Sequence, residues 1–356
     1  MLRNRSSAIL GEIVLVFLQA ILLQAIFVST NSFAQSAPPF PSVPPQVSNL
    51  KDPHLSDVVV EDLTSPTFEQ THLIPARPLI GFVDEKSGYS VSLIRLQWRP
   101  GDPIDLWLMR PTGVKKPPVI LHIYGYPSET DIFKDPHWQE LVTKGGFAAA
   151  GFVTSLTGHR YHDIAWSKWF LSELQQCLAE SSHDVQMVLN YLASRGDLDM
   201  NRVGVFGQLS GATVGILASA ADARIKVLDT LDPWGDWPTW MEKSEFVPKD
   251  ERPNYVKPEF LTKVATLETL DWMPKVQAQK FRLQQRTTEH ETPWPAKQKL
   301  KTAIPAGATY TFYNTAGEFD DAVGKDGNKS LDWIKAQLQS LPPAAAESAV
   351  AEKKSN

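Results

Sequence analysis

Short apolar runs alternate with segments of helical periodicity along most of this chain. The runs Val119–Ile123, Ala148–Val153 and Val203–Phe206 are continuous and lie between turn-forming residues. Such runs are typical of strands buried on both faces, and helical segments between them indicate crossover connections. The pattern therefore predicts an α/β domain with a mostly parallel central sheet and helices on both of its faces.

One of the predicted helices has recognisable signals at both ends. His183–Arg195 repeats apolar residues at the spacing of one helix face, and Gly196 is placed to end it. Ser181 and Asp184 form a candidate capping box at its start. The other predicted elements are a hairpin, a helix after the third run, three later strands and a closing helix: Tyr89–Trp98 with Ile104–Met109, Gly211–Ala221, Ile225–Leu228, Lys280–Leu283, Thr309–Phe312 and Ser330–Leu338.

Residues 1–34 have the pattern of a secretory signal peptide. Arg3 and Arg5 precede the apolar stretch Ile13–Val28, and small residues lead up to Ala34. We expect cleavage after Ala34 and a secreted or periplasmic mature protein without a stable membrane span. An uncleaved membrane anchor is the alternative, although Glu12 and two glutamines in the stretch disfavour a span.

Composition divides the rest of the chain. Residues 35–49 are rich in Pro and Ser and are expected to form a linker, whereas 342–356 are expected to form a disordered tail. The interval 50–341 has the length of a single domain. Cys177 is the only cysteine, so no intrachain disulfide can form and the hydrophobic core must stabilise the fold.

Charge and ligand chemistry disfavour several classes of protein. The net charge is −5 and the basic residues are scattered, whereas nucleic-acid binders usually have a basic face. The eight histidines are dispersed and no Cys/His cluster has metal-site spacing. We expect no metal, no cofactor and no nucleic-acid partner.

A strand, a glycine-rich turn and a helix follow one another in the segment 202–212. Gly207 and Gly211 have the spacing of the G-x-S-x-G nucleophile elbow, in which a sharp turn projects the central residue from the top of the sheet. The central residue here is Leu209, not serine.

Four segments carry a family resemblance: PVILHIYGYP (118–127), HDVQMVLNYLASRGDLDMNRVGVFGQLSGA (183–212), DARIKVLDTLDPWGDW (222–237) and DDAVGKDGNKSLDWIKAQL (320–338). Through them the chain resembles the bacterial α/β-hydrolases related to dienelactone hydrolases and acetyl xylan esterases. The resemblance implies an α/β-hydrolase fold with a short cap insertion at about 232–275. It also implies a lineage of carboxylic-ester hydrolases.

The resemblance implies a Ser-His-acid triad, and two of the three positions are substituted. Leu209 occupies the nucleophile position. The histidine is expected in the turn after the last strand, where Glu318 is found instead. Glu289 or Glu291 matches the expected acid, but a carboxylate that orients no imidazole has no catalytic role. Whether the chain is an enzyme is therefore open.

The resemblance also implies an oxyanion hole. The loop after the third predicted strand, Val119–Ile123, would supply one backbone N–H, from Tyr124, Gly125 or Tyr126. The residue after the nucleophile would supply the other, and here that residue is Ser210. An ordinary strand-to-loop turn is the alternative interpretation of Tyr124–Tyr126.

Two hypotheses about function remain. In the first, the protein is catalytically degenerate and binds a ligand or partner through the former cleft. In the second, it is an active ester hydrolase in which Ser210 is the nucleophile and His290 and Glu318 exchange the roles of base and acid. The first is favoured, because Ser210 in the first turn of a helix is expected to cap or pack that helix.

Aromatic and basic residues could line the cleft. Trp234 and Trp237 could form a stacking wall for a sugar ring, or they could pack the cap against the sheet. His159 and Arg160 lie in a loop at the expected edge of the cleft, where they could bind a polar group of a substrate. The ligand would be a small molecule, such as a carbohydrate ester, and the sequence leaves the oligomeric state open.

Overall fold

The computed structural model describes residues 61–68, 77–99, 101–125, 131–157, 160 and 171–343. The signal peptide, the linker and all but the first two residues of the predicted tail lie outside these residues. Within the described part, no helix is both long and apolar enough to span a membrane. The strands are β1 (Leu79–Glu85), β2 (Tyr89–Arg99), β3 (Asp102–Pro111), β4 (Pro118–Ile123), β5 (Ala148–Gly151), β6 (Asp199–Gln208), β7 (Ile225–Leu231), β8 (Lys280–Arg286) and β9 (Thr309–Tyr313).

These strands form one sheet in the order β1-β2-β3-β5-β4-β6-β7-β8-β9. The strands from β4 to β9 are parallel to one another, and β1, β2 and β3 add an antiparallel side. The mostly parallel sheet and the β2–β3 hairpin confirm the prediction. Because parallel strands share an orientation, β4, β6, β7, β8 and β9 all end at one edge, which we call the carboxyl edge.

Helices cover both faces of this sheet, as predicted. Adjacent residues of a strand point to opposite faces, so Leu121 and Ile120 of β4 belong to different core clusters. One cluster lies under α2 and α3, and the other lies under α1 and α10. The helices are α1 (Pro136–Thr143), α2 (Leu174–Arg195), α3 (Ser210–Ala221), α4 (Trp237–Lys243), α5 (Arg252–Tyr255), α6 (Pro258–Ala265), α7 (Thr269–Trp272), α8 (Trp294–Ala303), α9 (Ala316–Val323) and α10 (Asp332–Ser340).

The predicted start of α2 is wrong. The helix begins at Leu174, so Ser181 and Asp184 lie inside it instead of capping it. Both side chains are fully buried, and each has found a partner there: the Ser181 hydroxyl donates to the Cys177 carbonyl at 2.6 Å, and Asp184 pairs with Arg99. Polar residues that resemble a cap in the sequence are thus part of a buried network. The predicted end is confirmed, because Gly196 adopts a φ of 73°.

Several elements lack a clear sequence signal. Strand β1 is exposed along its whole length at the antiparallel end of the sheet, and helices α1, α8 and α9 are short. Helices α4 to α7 occupy the interval between β7 and β8, where the sequence predicts a cap.

Candidate active site

The turn after β6 has the geometry of a nucleophile elbow. Leu209 adopts φ 52° and ψ −123°, a conformation that a branched side chain rarely takes. Its N–H donates to the Leu231 carbonyl at 2.9 Å, and its own carbonyl accepts from Ala212 N at 3.0 Å. The backbone therefore passes from strand to helix through a strained residue that is fixed on both sides.

The two glycines of the elbow are required by close backbone approach. A Cβ on Gly207 would lie 2.6 Å from the Gly211 carbonyl oxygen, and a Cβ on Gly211 would lie 2.1 Å from the Ile123 carbonyl oxygen. Neither space admits a methyl group, so α3 can pack this tightly against β6 and β4 only with glycine at both positions.

The loop after β4 meets the elbow. A Cβ on Gly125 would lie 2.8 Å from the Leu209 Cβ and 3.4 Å from its Cδ1. The structure thus brings Gly125 and the nucleophile position together, and the half-buried leucine side chain lies where they meet. Tyr126 lies outside the described residues.

The Tyr124 side chain turns into the core. Trp138 Nε1 donates to its hydroxyl at 2.6 Å, and His122 Nδ1 lies 3.5 Å from the same hydroxyl. Burial raises the pKa of Tyr124, whereas burial and the charge of Lys335 lower the pKa of His122 to about 3. These uncharged side chains pack together in the core beside the carboxyl end of β4. Sequence reasoning missed His122 and Trp138, although a histidine inside an apolar strand is a detectable signal.

Ser210 is the first residue of α3, and its side chain is fully buried. His290 is exposed and lines a cavity of about 190 Å³ together with Trp294 and Lys243. Ser210 and His290, the proposed nucleophile and base of the alternative triad, therefore differ in their access to solvent.

Lys297 fixes the loop that carries the candidate acids. Its buried ammonium donates to the carbonyls of Arg286 and Glu289 at 2.7 and 2.6 Å, and it pairs with the Glu289 carboxylate at 2.9 Å. Glu289 also accepts from the backbone N–H of Glu291. Burial raises the pKa of Glu289, although Lys297 opposes this effect. Sequence reasoning missed Lys297, which looks like a surface residue of α8.

Glu291 is the more strongly perturbed acid. Burial and the neighbouring Glu289 raise its pKa to about 8, so it is largely protonated at neutral pH. Trp234 Nε1 donates to its Oε2 at 3.2 Å. A protonated carboxyl group lacks the negative charge that stabilises an imidazolium.

Glu318 lies in the first turn of α9, whose N-cap is Thr315. Its backbone N–H donates to Thr315 Oγ1 at 3.1 Å, and its carboxylate accepts from the backbone N–H of Asn314, the residue before the cap, at 2.7 Å. The residue is exposed and follows β9, three strands from the β6 elbow. Its side chain therefore has a local structural role at the position where the resemblance implies a histidine.

Two residues that sequence reasoning missed pair beside the acid loop. Asp232, fully buried after β7, accepts from Arg286 N at 2.8 Å and from Arg286 Nε at 2.5 Å. Lys297 Nζ lies 3.6 Å from the same carboxylate. An aspartate at the end of a parallel strand could have been singled out from the sequence.

The candidate substrate-binding residues are buried where they are described. Trp234 and Trp237 are 0% and 1% exposed and pack against Trp240, so their rings form no open wall. Arg160 is 2% exposed and pairs with Asp102 at 3.1 Å and with Asp184. His159 lies outside the described residues.

Within the described part of the chain, no three His, Cys, Asp or Glu side chains are grouped so that they could hold a metal ion.

Comparison with known proteins supports the fold. No family model matches the sequence. No curated relative matches it either. Among solved structures, an acetyl xylan esterase from Paenibacillus sp. R4 is similar with a TM-score of 0.60 and 16% identity, over 75% of this chain and 90% of that one.

Two further structures show the same similarity. Acetyl xylan esterase 1 from Thermoanaerobacterium sp. JW/SL YS485 has a TM-score of 0.56 and 15% identity, over 75% of this chain and 89% of that one. A cold-adapted esterase from an Arctic intertidal metagenomic library has a TM-score of 0.50 and 14% identity, over 74% and 98%. Together with the sheet order and the elbow, these similarities show that the chain has the α/β-hydrolase fold.

Proposed function

We propose that this protein is an exported, catalytically degenerate relative of carboxylic-ester hydrolases that binds a ligand through the former active-site cleft. The observation that carries the proposal is Leu209 at the strained elbow position, with its side chain against Gly125. A hydrocarbon side chain cannot attack an acyl carbon, so the nucleophilic step has no agent at this position.

The other triad positions support the same conclusion. Glu318 is committed to the first turn of α9, and Glu291 is largely neutral. A serine needs a positioned base to become a nucleophile, and loss of general-base catalysis alone costs about 10²- to 10⁴-fold in rate. The triad positions thus lack both the nucleophile and the general base.

An active hydrolase that uses Ser210 is the alternative, and the buried side chain of Ser210 argues against it. For the ligand, the esterase neighbours favour a small molecule such as a carbohydrate ester. Export rests on the signal-peptide pattern, and N-terminal sequencing of exported protein should find a start at or near Gln35.

The test is hydrolysis of p-nitrophenyl acetate together with labelling by a fluorophosphonate probe, with a known serine esterase as the positive control. We expect turnover close to background and no labelling. Leu209→Ser alone should not restore turnover, because no base accompanies the new hydroxyl. Robust wild-type turnover that Ser210→Ala abolishes would contradict the proposal and establish the alternative.

A further inference from the structure

Arg286 is held in a fixed orientation at the carboxyl edge of the sheet. It is the last residue of β8, and its Nε donates to Asp232 Oδ2 at 2.5 Å. On the other side, the Phe319 ring centroid lies 4.9 Å from the guanidinium carbon. A carboxylate and an aromatic ring together fix the plane of the guanidinium group.

The outer side of this guanidinium group is uncommitted. The side chain is 24% exposed, and within the described residues no group accepts a hydrogen bond from Nη1 or Nη2. An arginine that binds one carboxylate through Nε and the backbone retains two parallel terminal donors, which is the geometry that recognises a second carboxylate.

The positive and negative charges of the ion-pair network around Arg286 balance. Lys297 and Arg286 balance Asp232 and Glu289, with Lys297 also bonded to two carbonyls. Glu291, whose pKa lies at about 8, is largely uncharged at neutral pH. The terminal nitrogens of Arg286 therefore remain as hydrogen-bond donors at the outer side of this network.

The apolar side chain of Leu209 lies at the same edge of the sheet as these donors. Strand β8 is two strands from β6 in the sheet, and neighbouring strands are about 4.8 Å apart, so the ends of β8 and β6 are roughly 10 Å apart. The half-buried Leu209 occupies the end of β6. A short molecule with one charged end and an apolar body fits this separation.

We propose that the former catalytic cleft binds a small organic carboxylate, with Arg286 Nη1 and Nη2 as its bidentate anchor and Leu209 against its apolar part. This rests on the proposed ligand-binding function and names the chemical class of the ligand. The single positive charge of Arg286 matches the single negative charge of a carboxylate. The second negative charge of a phosphate would have no partner.

The test measures binding of hexanoate to the full chain by ligand-observed NMR, with neutral hexanamide and inorganic phosphate as comparison ligands. We expect hexanoate to bind in the millimolar range and at least about tenfold more tightly than either. Arg286→Gln should weaken hexanoate at least about tenfold, and Arg286→Lys, which keeps the charge but loses the fork, by a smaller factor.

Arg195→Gln is the matched control. Arg195 has the same 24% side-chain exposure and also pairs with an aspartate, but it lies beside the start of β6, at the opposite edge. This variant should bind hexanoate like the wild type. Because Arg286→Gln leaves the buried Asp232 without its partner, the double change Asp232→Asn with Arg286→Gln provides a neutral second variant if the single one fails to fold.

Equal binding of hexanoate and hexanamide, absence of hexanoate binding, or full binding by both Arg286 variants would overturn the proposal. Phosphate that binds as tightly as hexanoate would overturn the assignment to a carboxylate. Ester turnover by the wild type contradicts the proposed function whatever hexanoate does. If hexanoate does not bind and the wild type shows no ester turnover, only the proposed carboxylate site is refuted.

Discussion

The elbow at the carboxyl edge and the segment 61–68 packed against α2 are both closely fitted, but different groups hold them in place. At the elbow, backbone atoms set the geometry, because Gly207 and Gly211 allow contacts that exclude any side chain. At 61–68, side chains set it: Glu61 pairs with Arg99 at 2.6 Å and with His183 at 2.8 Å.

The second region depends on a chain of buried charges. Arg99 also pairs with Asp184, and Asp184 pairs in turn with Arg160. Hydrogen bonds from α2 side chains continue the contact, since the Ser182 hydroxyl donates to the Pro66 carbonyl at 2.9 Å. The comparison teaches that backbone contacts keep the elbow in shape with leucine at its central position. The contact at 61–68 depends instead on each charged side chain that forms it.

The largest expected effect is at Asp184. Asp184→Ala leaves Arg99 and Arg160 with one carboxylate partner fewer in a buried setting, so we expect the free energy of unfolding to fall by about 3–5 kcal/mol. Asp197→Ala is the control, because Asp197 is 31% exposed and its pair with Arg195 should contribute about 1 kcal/mol or less. Urea unfolding measures both. Equal losses of unfolding free energy in the two variants would show that the buried ion pairs of Asp184 stabilise the protein no more than the exposed pair does.

Gly211→Ala tests the elbow. The new Cβ would lie 2.1 Å from the Ile123 carbonyl oxygen, so α3 or β4 must shift, and we expect a loss of about 3 kcal/mol. Gly317→Ala is the matched change, because its nearest atom would lie 3.9 Å away in the exposed helix α9. It should be neutral or slightly stabilising in thermal unfolding. A tolerated Gly211→Ala would mean that the backbone contact does not fix the elbow.

The smallest of the three effects is a pH dependence from Glu61. Burial raises the pKa of Glu61, but hydrogen bonds from Arg99 and His183 outweigh burial and lower this pKa from 4.5 to about 2. A lowered folded-state pKa contributes stability that is present above about pH 4.5 and is lost as the pH falls towards 2.

Glu61→Gln should therefore reduce the acid sensitivity of unfolding in that window, by about 1–2 kcal/mol once partial solvent access is discounted. Denaturant unfolding between pH 5 and pH 2.5, roughly the window of the linkage, measures this difference. Parallel pH curves for wild type and variant would place the acid-sensitive contact elsewhere in the molecule.

Sequence patterns predicted the helices and strands well where the hydrophobic pattern of a segment matches the way that segment packs in the core. The apolar runs at β4, β5 and β6 are strands because only a buried strand accommodates a short continuous apolar segment between turns. The start of α2 was mispredicted because Ser181 and Asp184 have the composition of a cap, and only their buried partners reveal that the helix continues through them.

For the site, the sequence by itself determined that leucine is the central residue of the elbow, because the spacing between Gly207 and Gly211 places Leu209 there. Only the tertiary structure decided what the neighbouring polar residues do. Arg286 and Asp232 are 54 residues apart, and Lys297 of α8 turns inward to pair with Glu289 in the preceding loop. The local sequence shows the hydrophobic period of a helix or strand and the turn residues that end it. The partner of a buried charge depends instead on which strand ends meet at one edge of the sheet.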